Sequence, residues 1–212
     1  MKSALILVDI QKDFVPGGSL AVPEGNEIIP IVQKLLGLTF DEVVATKDWH
    51  PRNHCSFAPT HKREVGEVID MEGIPQILWP VHCVQESSGA DFVEGWDTSK
   101  ISKEIHKGVD PLVDSYSTFF DNARRRSTGL EDYLKSKGIE RVFLAGLATD
   151  YCVKYSVMDA LDLGFDTFVI ADACKGINLR EGDIDHALNL VEKLGAHLCY
   201  SADIPGLLAP RQ

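Results

Sequence analysis

Two hydrophobic periodicities alternate along the chain. Ser3 to Val8, SALILV, is an unbroken apolar run that stops at Asp9, the pattern of a strand buried on both faces. Pro23 to Leu36 carries Ile28, Ile31, Val32, Leu35 and Leu36 at helical spacing, which predicts a helix. A second strand is expected near Val43 to Thr46, closed again by an aspartate, Asp48. Ile101 to Ile105 reads as a short strand leading into HKG, with Lys107 at its centre. Thr128, with Glu131 three residues on, is a capping-box signature for a helix reaching about Lys137.

The second half repeats the alternation. ERVFLAG is a strand, and Asp150 to Leu163 places Val153, Val157, Ala160 and Leu161 along one side of a helix. DTFVIAD is the next strand; Asp183 is a candidate cap for a helix from Ile184 to Leu194, and AHLCYS is the last strand. In LGFDT and LGAHL a helix ends at glycine just before a strand starts. Residues 49–100 differ, being rich in Pro, His, Gly and Trp with little periodicity. They read as one long loop region, which inside a compact domain is usually functional. The tail LLAPRQ reads as a simple terminus.

Continuous apolar strands alternating with helices predict an α/β fold, a three-layer α/β/α sandwich with a mostly parallel, about six-stranded central sheet. A single domain spanning 1–212 is expected. Active sites in such sheets lie at the carboxyl ends of the strands. Those ends carry Asp9, Asp48, Lys107, the turn from Gly146 to Cys152, and Asp172.

Composition narrows the partners. The formal net charge is −11, from 21 basic and 32 acidic residues, which argues against nucleic acid or an anionic membrane as partner. No segment approaches the roughly 20 apolar residues of a membrane span. The five cysteines, at 55, 83, 152, 174 and 199, form no CxxC. MKSALILVD lacks a cleavable leader pattern, so a cytoplasmic protein with reduced thiols is expected.

Two constellations carry candidate chemistry. Cys152 sits where a strand crosses into a helix, in GLATDYC. It reads either as a small buried hydrophobe or as a nucleophile whose thiolate meets the free N–H groups of a first helical turn. Asp9 is a turn residue or a base for that thiol, and Lys107 a surface charge or the cation that stabilises the thiolate. These three meet only if their strands are neighbours. The second constellation is KDWHPRNHCSF with LWPVHC. It offers Asp48, His50 and His82 as an O/N set for a catalytic divalent ion, with His54 as a fourth ligand or an outer hydrogen-bonding partner. Cys55 and Cys83 are a weaker alternative, lacking partners at finger spacing. Phe14, Trp49, Trp79 and Tyr116 are core residues or the walls of a pocket for a flat ring. VPGG at 15–18 permits a tight turn over it.

Taken together, LILVDIQKDFVPGGSL, KDWHPRNHCSF, WPVHCVQ, HKG, SYSTFFDN and GLATDYCVKYSVMDAL cover nearly the whole chain. In that order they resemble the amidases of the isochorismatase-like cysteine hydrolase family. The resemblance implies a catalytic group of Asp9, Lys107 and Cys152, and Asp48, His50 and His82 as metal ligands. It leaves His54 uncertain as a fourth ligand. It implies Phe14, Leu20, Trp79 and Tyr116 as pocket residues. It also implies a cis peptide at Leu147–Ala148 that turns the N–H groups of Ala148 and Cys152 into an oxyanion hole. The implied reaction is hydrolysis of nicotinamide to nicotinate and ammonia through a thioester, in NAD salvage. The implied cofactor is one divalent metal ion, zinc first, with iron and manganese as alternatives. The expected partner is the small-molecule substrate, and self-association into a homo-oligomer is left open.

Overall fold

The computed structural model describes residues 1–209; the last part of the tail, Pro210 to Gln212, lies outside the described residues. SALILV forms most of β1 (Lys2–Val8), and β2 (Glu42–Asp48) pairs with it in parallel. β5 (Lys103–Lys107) lies outside β2, and β6 (Ile139–Leu147) on the other side of β1. β7 (Asp166–Lys175) and β8 (His197–Cys199) complete a six-stranded sheet of order β5-β2-β1-β6-β7-β8. Every pairing in it is parallel.

Alternation within each strand sends side chains to two cores. Leu5, Leu7, Ala45, Phe143 and Ile170 face α1 (Ile29–Leu35) and α6 (Ile204–Leu208). Ala4, Ile6, Val8, Val44, Val142 and Leu144 face α3 (Leu130–Ser136), α4 (Lys154–Asp162) and α5 (Asp183–Lys193). With both faces covered, the three-layer sandwich follows, and the strands read as continuous apolar runs for that reason. Strand order reverses direction at the β1/β6 boundary, where a crevice opens beyond the carboxyl ends. Gly146 makes this boundary tight: a Cβ there would stand 2.1 Å from the Val8 carbonyl oxygen.

Several boundaries depart from the sequence expectation. The stretch from Pro23 to Leu36 is a 3-10 turn, Gly25–Ile28, followed by α1; Pro30 has no N–H to give, so the α ladder starts around it. Thr128 and Glu131 form no capping box. Gly129, at φ 85°, precedes the helix instead, and the Thr128 hydroxyl donates to the Thr118 carbonyl. Gly182, at φ 93°, likewise takes the cap position expected for Asp183, whose carboxylate accepts the Arg180 N–H. The long loop region holds a short helix, α2 (Ala58–His61), and an antiparallel hairpin of β3 (Val68–Met71) and β4 (Ile74–Ile77). Glu72 and Gly73, both at positive φ, make the tight turn that such a hairpin favours.

Asp172 is not a strand end. β7 continues past it to Lys175, and its register against β6 shifts between Leu144 and Gly146. Its carboxylate accepts the N–H and hydroxyl of Ser201 at 2.7 and 2.6 Å, a structural tie between β7 and the segment after β8. The five strand-end positions of the sequence reading therefore reduce to four.

Candidate active site

The residue after β1, Asp9, takes a left-handed φ of 49°. This turn is held by Thr46 of β2, whose hydroxyl accepts the Asp9 N–H at 3.2 Å and donates to Asp9 Oδ1 at 2.6 Å. Lys107 ends β5, in register with Asp48. Its ammonium lies 2.8 Å from Asp9 Oδ2, bonds Asp48 Oδ1, donates to the Ser115 carbonyl at 2.9 Å and reaches Cys152 Sγ at 3.3 Å. The expectation that three neighbouring strands are needed is corrected here. β5 is two strands away from β1, and the lysine stem crosses the end of β2 to arrive.

Cys152 lies in a π-type turn, Thr149–Val153, rather than in the first turn of a regular helix. Tyr151 and Val153 both donate to the Ala148 carbonyl at 3.1 Å, widening the entry to α4. The Ser156 hydroxyl closes the next turn by donating to the Cys152 carbonyl at 2.6 Å. The Leu147–Ala148 peptide is cis, and the Ala148 N–H meets no protein acceptor among the described residues.

Burial and the neighbouring charges together set the proton affinities of this cluster. Burial pushes the Cys152 thiol well up; Lys107 pulls it back, and Asp9 and Asp48 add to the rise. Asp9 is raised, burial outweighing the attraction of Lys107. Asp48 is held well below the usual carboxylate range, because Lys107 and His50 more than offset its burial. Burial would strip the Lys107 proton, yet the carboxylates of Asp48 and Asp9 hold it well above the ordinary lysine value. These shifts favour the charged form of Lys107 and of Asp48 and the neutral thiol of Cys152, beside a carboxyl of raised affinity at Asp9.

Asp48, His50 and His82 each offer a ligand atom within 4.8 Å of the others. The His50 and His82 Nε2 atoms stand 3.5 and 3.7 Å from Asp48 Oδ2. Their Nδ1 atoms are engaged by backbone carbonyls, Gly108 at 2.9 Å and Pro80 at 2.8 Å. That fixes the tautomer and leaves each Nε2 lone pair for a metal. Gly108 is required for this: a Cβ at φ 63° would meet the His50 ring at 2.3 Å. Gln11 holds Asp48 in place by accepting its N–H and donating to its carbonyl, both at 2.8 Å. The donor set and its buried position fit a divalent ion.

His54 stacks on His50 with ring centroids 4.0 Å apart, and its Nε2 is buried without a partner among the described residues. Burial, then His50, lowers it to about 4, so it is neutral near pH 7. Among the described residues no metal-type cluster includes Cys55 or Cys83. Burial pushes the Cys55 thiol up to about 12 and the Cys83 thiol well up.

Phe14, Leu20, Trp79 and Tyr116 line one pocket with Asp48, His82, Ala148 and Cys152. The Trp79 indole N–H donates to the Tyr116 hydroxyl at 3.1 Å, bracing one wall. Trp49 does not join them; it stacks on His106 outside the pocket, at 4.6 Å. Three wall residues were not expected from the sequence: Asp114, Tyr151 and Ile177. Tyr151 adjoins Cys152 in the chain, and so was within reach of the motif. Ile177 enters because the buried Asp150 carboxylate accepts the N–H groups of Ile177 and Asn178 at 2.9 and 2.7 Å. Asp13 ties the Phe14 loop to the His82 loop, its carboxylate accepting the Cys83 N–H at 2.7 Å.

A parallel sheet covered on both faces, with a buried thiol, carboxylates, ammonium and imidazoles at its carboxyl edge, defines a three-layer α/β/α protein with its candidate chemistry at the switch point. Residues 3–203 match the isochorismatase domain, and the chain belongs to the isochorismatase family. It is 46% identical over 203 residues to the nicotinamidase of Escherichia coli K12, covering 94% of this chain and 95% of that one. Among solved structures it is similar to a nicotinamidase/pyrazinamidase of Acinetobacter, with a TM-score of 0.92 and 42% identity over 96% of this chain and 98% of that one. A Pyrococcus horikoshii pyrazinamidase solved in complex with zinc superposes with a TM-score of 0.76 and 35% identity, covering 94% and 99%.

Proposed function

We propose that the chain is an amidohydrolase that converts nicotinamide to nicotinate and ammonia, a step of NAD salvage, with Cys152 as nucleophile. One observation carries the reading: Cys152 Sγ, 3.3 Å from the Lys107 ammonium, opens into the pocket walled by Phe14, Trp79 and Tyr116. Relatives bearing that activity in their names align over nearly the whole chain. No helix among the described residues is long and apolar enough to cross a membrane. We place the protein in the cytoplasm, acting as one domain, without nucleic-acid partners.

The aromatic walls hold the flat ring and present the carboxamide to Cys152. Asp9 takes the thiol proton as sulfur bonds to the carboxamide carbon, and Lys107 lowers the cost of the developing thiolate. Negative charge moves to the amide oxygen, which the N–H groups of Ala148 and Cys152 hold. Protonated Asp9 returns its proton to the departing nitrogen; the C–N bond breaks, ammonia leaves, and a thioester remains. Asp9 then takes a proton from water, whose oxygen adds to the thioester carbon. The C–S bond breaks, Asp9 gives its proton to the departing Cys152 sulfur, and nicotinate is released. A raised carboxyl affinity suits both directions of this proton traffic. Asp48, His50 and His82 would hold a divalent ion, zinc first with iron and manganese as alternatives, which supplies a Lewis acid beside the ring.

Ammonia release from a panel of carboxamides and N-carbamoyl compounds tests the reading. Nicotinamide is expected to be turned over well. Release only from N-carbamoyl compounds would replace it with another amidase of the family.

A further inference from the structure

Tyr151 is a wall with two sides. It lines the pocket beside Cys152, and it also lines a cleft of about 580 Å³ between the β3–β4 hairpin, the start of α4 and α5. Lys154, Tyr155 and Arg180 border that cleft. The Lys154 ammonium lies over the rings of Tyr151 and Tyr155, 5.7 and 4.7 Å from their centroids. Among the described residues neither this ammonium nor the Arg180 guanidinium forms an ion pair or a hydrogen bond. Two carboxylates border the same cleft, and both are already engaged by backbone. Asp150 accepts the N–H groups of Ile177 and Asn178, and Asp183 that of Arg180. Burial lowers the proton affinity of Lys154, with Asp150 and Asp183 opposing. In a chain of formal net charge −11, two cations with unused donors on the outer side of a pocket wall mark a place for an anion. Tyr155, 39% exposed, offers a flat apolar face beside them.

We propose that this cleft is a second binding site, outside the catalytic pocket, for planar aromatic carboxylates, with Lys154 and Arg180 on the carboxylate and Tyr155 against the ring. The choice of nicotinate as its occupant rests on the reading that the pocket turns nicotinamide into nicotinate. Substrate and product of that reaction share a ring and differ in charge. A neutral carboxamide gains nothing from an ammonium and a guanidinium beyond ordinary hydrogen bonds, whereas a carboxylate gains charge-assisted ones. The cleft therefore prefers product over substrate, and does so on the far side of the Tyr151 ring from the sulfur. Nothing in the catalytic cluster of Asp9, Lys107 and Cys152 borders it. Nicotinate can fill the cleft while the pocket holds a second molecule.

Equilibrium dialysis of the metal-loaded full chain against labelled nicotinate tests this, with nicotinamide turnover measured on the same samples. The wild type should bind two equivalents. Lys154→Met with Arg180→Met should retain one and weaken the other by at least about tenfold, the loss expected for a hydrogen bond to a charged group. Its kcat and KM for the neutral amide should be unchanged. Neither side chain has a protein partner to lose, and the single substitutions Lys154→Gln and Arg180→Gln, each expected to weaken the same equivalent, guard against a folding defect in the double variant. Fewer than two equivalents in the wild type, or two that survive the double substitution, overturns the cleft site, and turnover in those samples leaves the amidase reading standing. Two equivalents in the wild type and one in the double variant, without turnover of nicotinamide in either, removes the amidase reading and leaves a carboxylate site.

Discussion

Lys107 and Asp48 form a buried ion pair in which the ammonium serves two centres. Asp48 offers one oxygen to Lys107 and turns the other toward His50 and His82. The same ammonium touches Asp9 and the Cys152 sulfur. The proposed ion and the thiol are therefore coupled through one side chain.

Replacing Lys107 by Met should show this coupling as lost stability as well as lost turnover. Two buried carboxylates would face each other without a cation, at a cost of about 3–5 kcal/mol. Urea unfolding measures it, and an unchanged midpoint would contradict the assignment.

Cys152→Ala removes the proposed nucleophile and only one heavy atom, the sulfur. The variant should fold, with its circular dichroism unchanged, and lose ammonia release by more than about 10³-fold. Retained turnover rules out a thioester.

The pH profile should report Asp9. Its affinity is raised by burial, so the acid limb of kcat/KM is expected above the ordinary aspartate value of 3.8. The Thr46 hydroxyl favours the ionised form. Thr46→Val removes that bond, raises the affinity further and should move the acid limb to higher pH. A limb that stays in place, or moves down, excludes Asp9 as the group titrating.

Asp150→Ala tests how the pocket wall is held. Without this carboxylate the N–H groups of Ile177 and Asn178 lose their acceptor, each bond contributing about 1.5–3 kcal/mol. Because Ile177 lines the pocket without belonging to the Asp9, Lys107 and Cys152 cluster, KM should rise more than kcat falls. Steady-state kinetics separates the two.

Removing the ion should act on both stability and rate. Dialysis against a chelator is expected to lower turnover, and added zinc, iron or manganese to restore it. An ion that binds only the folded chain stabilises it by about 2.7 kcal/mol at a hundredfold excess over Kd. Tm should therefore climb with metal concentration; a Tm indifferent to metal speaks against the site.

Much of this was legible in the chain alone. Buried strands of a parallel sheet are apolar on both faces, so SALILV and ERVFLAG announce themselves without any partner. A residue closing such a run must lie at the carboxyl edge, which is how Asp9, Asp48 and Lys107 could be picked out. Caps were less legible, since Gly129 and Gly182 rather than Thr128 and Asp183 take the turns that precede their helices.

The sequence by itself determined the sheet strands and the longer helices, their order and most of the chemical types at the strand ends, because periodicity and strand termination are local properties of consecutive residues. Only the tertiary structure decided that Lys107 crosses β2 to reach Cys152, that Asp172 is a tie to Ser201 and that Asp114 and Ile177 enter the pocket. Those facts depend on strand order and register, which are set by contacts between segments tens of residues apart and leave no periodic trace in either one.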